Sequence, residues 1–348
     1  MELVKAAQGR ANIEIWVDSD NIEWGVSYLS SFACEAQIFH GTKELGQSFF
    51  EKSIKRLAGQ KLVFHIVNSA YGFALIPLIT TLQNTAYFIS AFGDAVLPDG
   101  RKSSALRSLD PQYRHRAKRI FMDSAFYRDT LAREKIADIN KMVVLAHPPA
   151  ITRSWDRLKP AGRLLWASRI SDEKRLEDVL GIAIAFPQLT ISVFGGIDKA
   201  CCSQRGLAFY QALHFIKNVE IKGEYKKFDD IRLSDYDALI YTSERDGLPN
   251  VLIEAGAAGI PIISTIVGGI GELLDEKNSF SKPNATLTDY IGLISTLYIN
   301  FPTAKEKAKI LKNKIISRSD SYSLNAALDI ILGESVDTTN SLTKTIES

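Results

Sequence analysis

The stretch that most constrains the fold runs from residue 238 to residue 266. Residues 238–241 (ALIY) and 262–266 (IISTI) read as buried strands. Between them lie a charged loop, with Glu244, Arg245, Asp246 and Gly247, and a helix that Pro249 is expected to open at its first position. Gly259 closes that helix and Pro261 leads into the second strand. Asp246 stands before the helix and Glu254 inside it. The first amide groups of a helix have no intrahelical partner and sit at the positive end of its dipole, so a glycine loop entering a helix suits an anion. Acids beside such a site suit a ligand that also carries hydroxyls, which a nucleotide sugar does.

The rest of the chain repeats this alternation. Strands are predicted at 13–17, 36–40, 62–67, 86–91, 119–122 and 142–145, then at 164–167, 191–194 and 219–222, each pair separated by helical or loop sequence. Alternation of this kind predicts an α/β protein whose sheets are mostly parallel and covered by helices on both faces. With 348 residues the chain suits two such domains. The expected division is 1–152, a linker at 153–162, a second domain at 163–320, a helix at 321–333 that crosses back to the first domain, and a disordered tail at 334–348 rich in Ser and Thr. Helices are further expected at 23–33, 45–57, 73–82, 125–135, 174–186, 203–215, 228–233, 286–298 and 303–316, with a loop and helix at 101–116.

Several classes are set aside. A net charge of +2 is too small to argue for nucleic acid. The five histidines have neither HxH nor HxxxH spacing and the three cysteines show no metal spacing, so no metal is expected. There is no Walker loop, no GxGxxG after the first strand and no GxSxG. Nothing at the N-terminus reads as a signal peptide, and the expected location is the cytoplasm. The apolar run near residues 73–82 contains Pro77 and is too short to span a bilayer; peripheral membrane contact stays open.

Arg169 and Lys174 follow the strand at 164–167. In a parallel sheet ligands bind beyond the carboxyl ends of the strands. Either the two cations hold a diphosphate, Arg through its planar fork and Lys as a point charge, or both are ordinary solvated surface charges. Gly268-Gly269, with Glu272 beyond, permits close backbone approach or is simply a turn, and the same holds for Gly195-Gly196.

Taken in order, these pieces resemble the group 1 (family four) retaining glycosyltransferases, which have the GT-B fold: two Rossmann-like, doubly wound parallel-sheet domains facing a cleft. Arg169 to Lys174 resembles the family's phosphate pair, Ile191 to Gly195 its strand ending in glycine, and Val219 to Gly223 the segment bordering the nucleobase. Asp237 to Ser243 precedes the acidic loop as in the family, Asp246 to Glu254 takes the place of its E-x7-E motif, and Val267 to Glu272 resembles the next glycine turn. In the first half the resemblance is limited to topology and to Asp123 to Leu131. The resemblance implies that Arg169, Lys174 and Asp246 act in catalysis, the two cations on the diphosphate and Asp246 on the transferred sugar. It implies that Glu254 binds ribose hydroxyls, that Lys222 borders the base, and that Gly247, Leu248, Pro249, Asn250, Gly268 and Gly269 complete the donor pocket. It implies a nucleotide-diphosphate sugar as donor, no cofactor, a carbohydrate, lipid-linked or protein acceptor, and retention at the anomeric carbon.

The sequence departs from the family in three places. Asp246 stands where Glu is more usual, the strand at 86–91 is followed by no histidine, and Asp18-Ser19-Asp20 follows the first strand in place of a glycine turn. A non-catalytic or partner-dependent GT-B protein that binds a nucleotide sugar is therefore the alternative reading. A sugar-nucleotide epimerase or a phosphorylase would need histidine and acid sites, or a pyridoxal-lysine motif, that are not found.

Overall fold

The computed structural model describes residues 116–199 and 201–321, together with 14–18, 35–39, 51–53, 55–56, 62–67, 79, 85–90 and 329–330. The chain divides into two compact units, one of residues 1–123, 128–145 and 321–348, the other of residues 124–127 and 146–320. The expected helix near 23–33, most of those near 45–57, 73–82 and 101–116, and the tail at 334–348 lie outside the described residues.

In the first unit, β1 (Glu14–Asp18) pairs in parallel with β2 (Glu35–Phe39). A separate sheet carries β3 (Leu62–Val67), β4 (Thr85–Ser90), β5 (Ile120–Met122) and β6 (Met142–Val144), all parallel and in that order. Phe88 of β4 and Phe121 of β5 stack with centroids 6.0 Å apart, and Val63, Ala86, Val143, Leu145 and Ile330 pack around them. Of the helix expected at 321–333, residues 329–330 are described beyond Ser321, and both are helical. Helix α1 (Ala125–Arg133) follows β5.

The second unit is built on six parallel strands. They are β7 (Arg163–Ala167), β8 (Thr190–Phe194), β9 (Val219–Gly223), β10 (Ala238–Tyr241), β11 (Ile262–Ile266) and β12 (Phe280–Pro283), in the order β12-β11-β10-β7-β8-β9. The order reverses between β7 and β10. β10 is buried along its whole length and β7 and β11 along nearly all of theirs, which is why they read as apolar runs and not as alternating patterns. Helices α2 (Leu176–Ala185), α3 (Gln204–Leu213), α4 (Asn250–Ala258), α5 (Ile270–Leu273), α6 (Leu287–Ile299) and α7 (Phe301–Ser321) connect and cover them.

Local chemistry sets the element ends. Thr286 and Asp289 form a capping box at the start of α6. Gly259 closes α4 in the left-handed conformation, φ 87°. Pro249 is the residue before α4, with ψ 128°, and so caps the helix instead of occupying its first turn as expected. The helix expected at 174–186 is interrupted. Residues Asp172–Lys174 make a 3-10 turn, Arg175 is left-handed at φ 51°, and only then does α2 begin. β12 was not anticipated; its sequence, FSKP, is short and carries a proline, which an edge strand tolerates.

The stretch expected to be a linker packs on the second unit. The Trp155 indole donates to the Tyr236 carbonyl at 2.8 Å and its amide to the Ala258 carbonyl at 2.8 Å. The buried Asp237 carboxylate accepts from the amides of Ala161 (2.7 Å) and Arg163 (3.0 Å) and from the Tyr298 hydroxyl (2.9 Å), with Arg157 Nε at 3.5 Å. One large indole and one buried acid anchor a segment whose other residues look like surface. On the far side of α4, Gly256 leaves room for α7: a Cβ there would stand 2.4 Å from Ile315 Cδ1 and 2.9 Å from Leu311 Cδ2.

Candidate functional site

The loops that leave β7 and β10 meet where the strand order reverses, the place where open α/β sheets bind ligands. They are joined to each other. The Glu244 amide donates to the Glu173 carbonyl at 2.8 Å. The Thr242 hydroxyl donates to the Lys174 carbonyl at 2.7 Å and accepts from the Trp166 indole at 2.9 Å. The Ser243 hydroxyl lies 2.8 Å from the Arg245 carbonyl and 3.2 Å from that of Glu173. All three of Thr242, Ser243 and Trp166 are buried, so the loop backbones are held by groups that cannot turn to water instead.

Lys174 is only 5 % exposed. Its ammonium donates to the Tyr241 hydroxyl at 2.9 Å and to Asp246 Oδ2, and lies 3.5 Å from Ser243 Oγ. The Tyr241 hydroxyl in turn donates to Asp246 Oδ2. A buried ammonium is stable only with an anionic partner, and Asp246 is that partner. Burial, reinforced by the Asp246 charge, holds the Tyr241 phenol well above its ordinary pKa, so it stays protonated.

Arg169 behaves differently. Its side chain is 62 % exposed, with NH1 2.6 Å from Asp198 and NH2 3.3 Å from Glu173. Its path is set by Gly195, whose φ is +147°: a Cβ there would stand 1.7 Å from the Ser168 carbonyl oxygen. Only glycine allows β8 and the loop after β7 to approach this closely.

Glu254 lies on α4, half-buried. No hydrogen bond or ion pair to its carboxylate occurs among the described residues. Burial, with Asp229 nearby, pushes its carboxyl up to about 7. The Tyr225 phenol, pushed up to about 12 by burial and by Glu254, stands beside it. Gly247 and Leu248 are buried, while Pro249 is half-buried and Asn250 exposed at the start of α4. Gly268 is left-handed at φ +53°. A Cβ on Gly269 would lie 2.7 Å from the Gly247 carbonyl oxygen and 2.9 Å from Ser124 Cβ, so the two glycine turns touch. Glu272 is taken up by the Phe126 amide (2.5 Å) and Arg318 (3.3 Å). Lys222 pairs with Glu220 at 2.9 Å, and Glu220 is also bound by Arg163 at 2.7 Å.

Of the residues chosen from sequence, Lys174 and Asp246 are in contact, Gly247 and Gly269 are in contact, and Arg169 reaches the Lys174 turn through Glu173. Lys222 forms its ion pair within β9. Sequence reading overlooked Tyr241, Tyr225 and Asp229. Tyr241 left a signal: a tyrosine ending a wholly buried strand has to place its hydroxyl on a polar partner. Among the described residues no three or more His, Cys, Asp and Glu side chains gather as a metal site would need. Among the described residues no helix is long and apolar enough to cross a membrane.

Residues 163–300 match the model of the family Glycosyl transferases group 1. The O-antigen biosynthesis glycosyltransferase WbnH of Escherichia coli is 26% identical over 172 residues, 49% of this chain and 47% of that protein. The chain thus aligns with about half the length of the curated relatives it matches. Among solved structures, HepE of Anabaena in complex with UDP and glucose superposes with a TM-score of 0.77 at 16% identity, covering 96% of this chain and 95% of that one. Sucrose-phosphate synthase from Thermosynechococcus elongatus superposes with a TM-score of 0.71 at 14% identity, covering 95% and 90%. The chain has the two-domain, Rossmann-like GT-B fold, and residues 163–300 of its second unit are similar to the group 1 glycosyl transferases.

Proposed function

We propose that this protein is a retaining glycosyltransferase that moves a sugar from a nucleotide-diphosphate sugar to an acceptor hydroxyl. The observation that carries this reading is the buried Lys174, held with Asp246 at the point where the strand order of the second unit reverses. Lys174 and Arg169 bind the diphosphate and stabilise the charge that grows on it as the glycosidic bond breaks. The first amides of α4, after Pro249 and Asn250, add donors to the phosphates. Glu254, half-buried and without a hydrogen-bond or ion-pair partner among the described residues, takes the ribose hydroxyls. Asp246 takes hydroxyls of the transferred sugar, and the Gly247 and Gly268-Gly269 turns line the pocket. Lys222 lies on the nucleobase side.

The UDP and glucose bound to HepE make UDP-glucose the first donor to try, and the name of WbnH favours a carbohydrate acceptor in surface-polysaccharide synthesis. We take the reaction to need no metal or other cofactor and to occur in the cytoplasm, with peripheral membrane contact if the acceptor is lipid-linked. The test is nucleotide release from a panel of UDP-, GDP- and ADP-sugars, with anomeric configuration of the product read by NMR. Turnover with retention is expected. Tight binding without release across a broad acceptor panel would mean a non-catalytic or partner-dependent protein instead.

A further inference from the structure

An ammonium has three N–H groups. Those of Lys174 have three oxygen partners within reach, on Tyr241, Asp246 and Ser243, all supplied by the loop and strand end of β10. A donor diphosphate arriving at Lys174 must therefore take the place of one of them. Asp246 is the only anionic partner of Lys174 among the described residues, and so the one a second anion displaces. Once displaced, its carboxylate would be left partly buried without a cation, at a substantial cost. The Tyr241 hydroxyl offsets part of that cost. It already donates to Asp246 Oδ2, and its ring, 1 % exposed at the end of β10, cannot swing away.

We infer that Tyr241 is a positioning residue for the donor: the nucleoside diphosphate displaces Asp246 from Lys174, and the Tyr241 hydroxyl keeps hold of Asp246 and fixes its carboxylate for the transferred sugar. The inference rests on the donor-site reading given above. It also accounts for an aspartate at this position. The side chain is one methylene shorter than the usual glutamate, and a phenol reaching up from the strand meets it. Because that phenol is held protonated, it remains a donor after the exchange.

The experiment is titration calorimetry of UDP, GDP and ADP into the full chain, in wild type, Lys174→Ala, Tyr241→Phe, Asp246→Asn and the double variant. Tyr241→Phe should weaken the nucleotide that binds by roughly tenfold, the effect of a hydrogen bond to a charged group. Asp246→Asn should bind it at least as tightly as wild type, because the competing anion is gone. In the Asp246→Asn background the tyrosine change should matter less than about twofold, since interacting residues are non-additive. Equal weakening in both backgrounds would mean a merely structural tyrosine and overturn the inference, as would an unchanged Tyr241→Phe. If Tyr241→Phe does not fold, weaker binding by Asp246→Asn overturns it by itself. Failure of all three nucleotides to bind wild type, or binding that Lys174→Ala leaves intact, defeats the donor site and the inference with it. Loss in Lys174→Ala with none in Tyr241→Phe defeats the inference alone.

Discussion

Glu173 and Glu244 are joined main chain to main chain, the amide of Glu244 donating to the carbonyl of Glu173 at 2.8 Å. The bond bridges the gap where the strand order reverses and ties the turn bearing Lys174 to the loop bearing Asp246. The cation and the acid that meet there are thereby set at a fixed separation by backbone, not by the side chains themselves.

Removing Lys174 and removing Arg169 should both weaken nucleotide binding but differ in their effect on stability. Lys174→Ala strands a partly buried carboxylate and should lower the unfolding free energy by about 3 kcal/mol. Arg169→Ala removes a largely exposed guanidinium, although its partner Glu173 is buried, and should cost less stability than Lys174→Ala, about 1 kcal/mol, while weakening nucleotide binding roughly tenfold. Urea melts and calorimetry separate the two quantities. Unchanged donor affinity in both variants would remove the diphosphate role assigned to them.

Glu254 predicts a pH dependence. Its carboxyl titrates near 4.5 when unperturbed and at about 7 in the fold. Between those values the folded chain holds a proton that the unfolded chain has lost. Its contribution to stability is therefore complete below the lower value and lost as pH rises through the upper one. Glu254→Gln should flatten this slope and melt higher than wild type above about pH 7. The same variant should bind nucleotide more weakly. Wild type should release a proton on binding nucleotide near neutrality, read as a buffer-dependent enthalpy.

Gly195→Ala should be among the most damaging small changes in the second unit. The new methyl would drive into the Ser168 carbonyl, beside Arg169, at a backbone angle that alanine rarely adopts. A loss of about 3 kcal/mol is expected in a denaturant melt, with nucleotide affinity falling as Arg169 shifts.

Asp237→Ala removes the acceptor that holds two amides, the Tyr298 hydroxyl and Arg157. A destabilisation of about 3 kcal/mol is expected. Limited proteolysis should then cut within residues 150–162, which wild type protects.

The second unit was legible because its strands are buried and its turns use strong punctuation. ALIY, Gly259 and Pro261 each leave one reading, and β10, α4 and β11 lie where those residues put them. Lys174 was expected to open a helix, since nothing local marks Arg175 as left-handed; the tertiary bond between the Lys174 carbonyl and Thr242 holds the turn that ends there. β12 escaped notice because an edge strand of four residues buries little. The link between Lys174 and Asp246 crosses 72 positions, and no local pattern encodes it. Asp237 looked like part of a motif and is a structural anchor, because its partners come from residues 157–163 and from α6.

Two residues along a helix are about 200° apart, so Gly256 and Glu254 point to opposite sides of α4. The notch at Gly256 receives Ile315 and Leu311 of α7, and its depth sets where α4 can rest. A bulkier or slimmer residue at 311 or 315 would slide α4 against its neighbour like a wedge under a lever. The carboxylate on the other side would move with it, so nucleotide affinity can be tuned from behind by side chains that never meet the nucleotide.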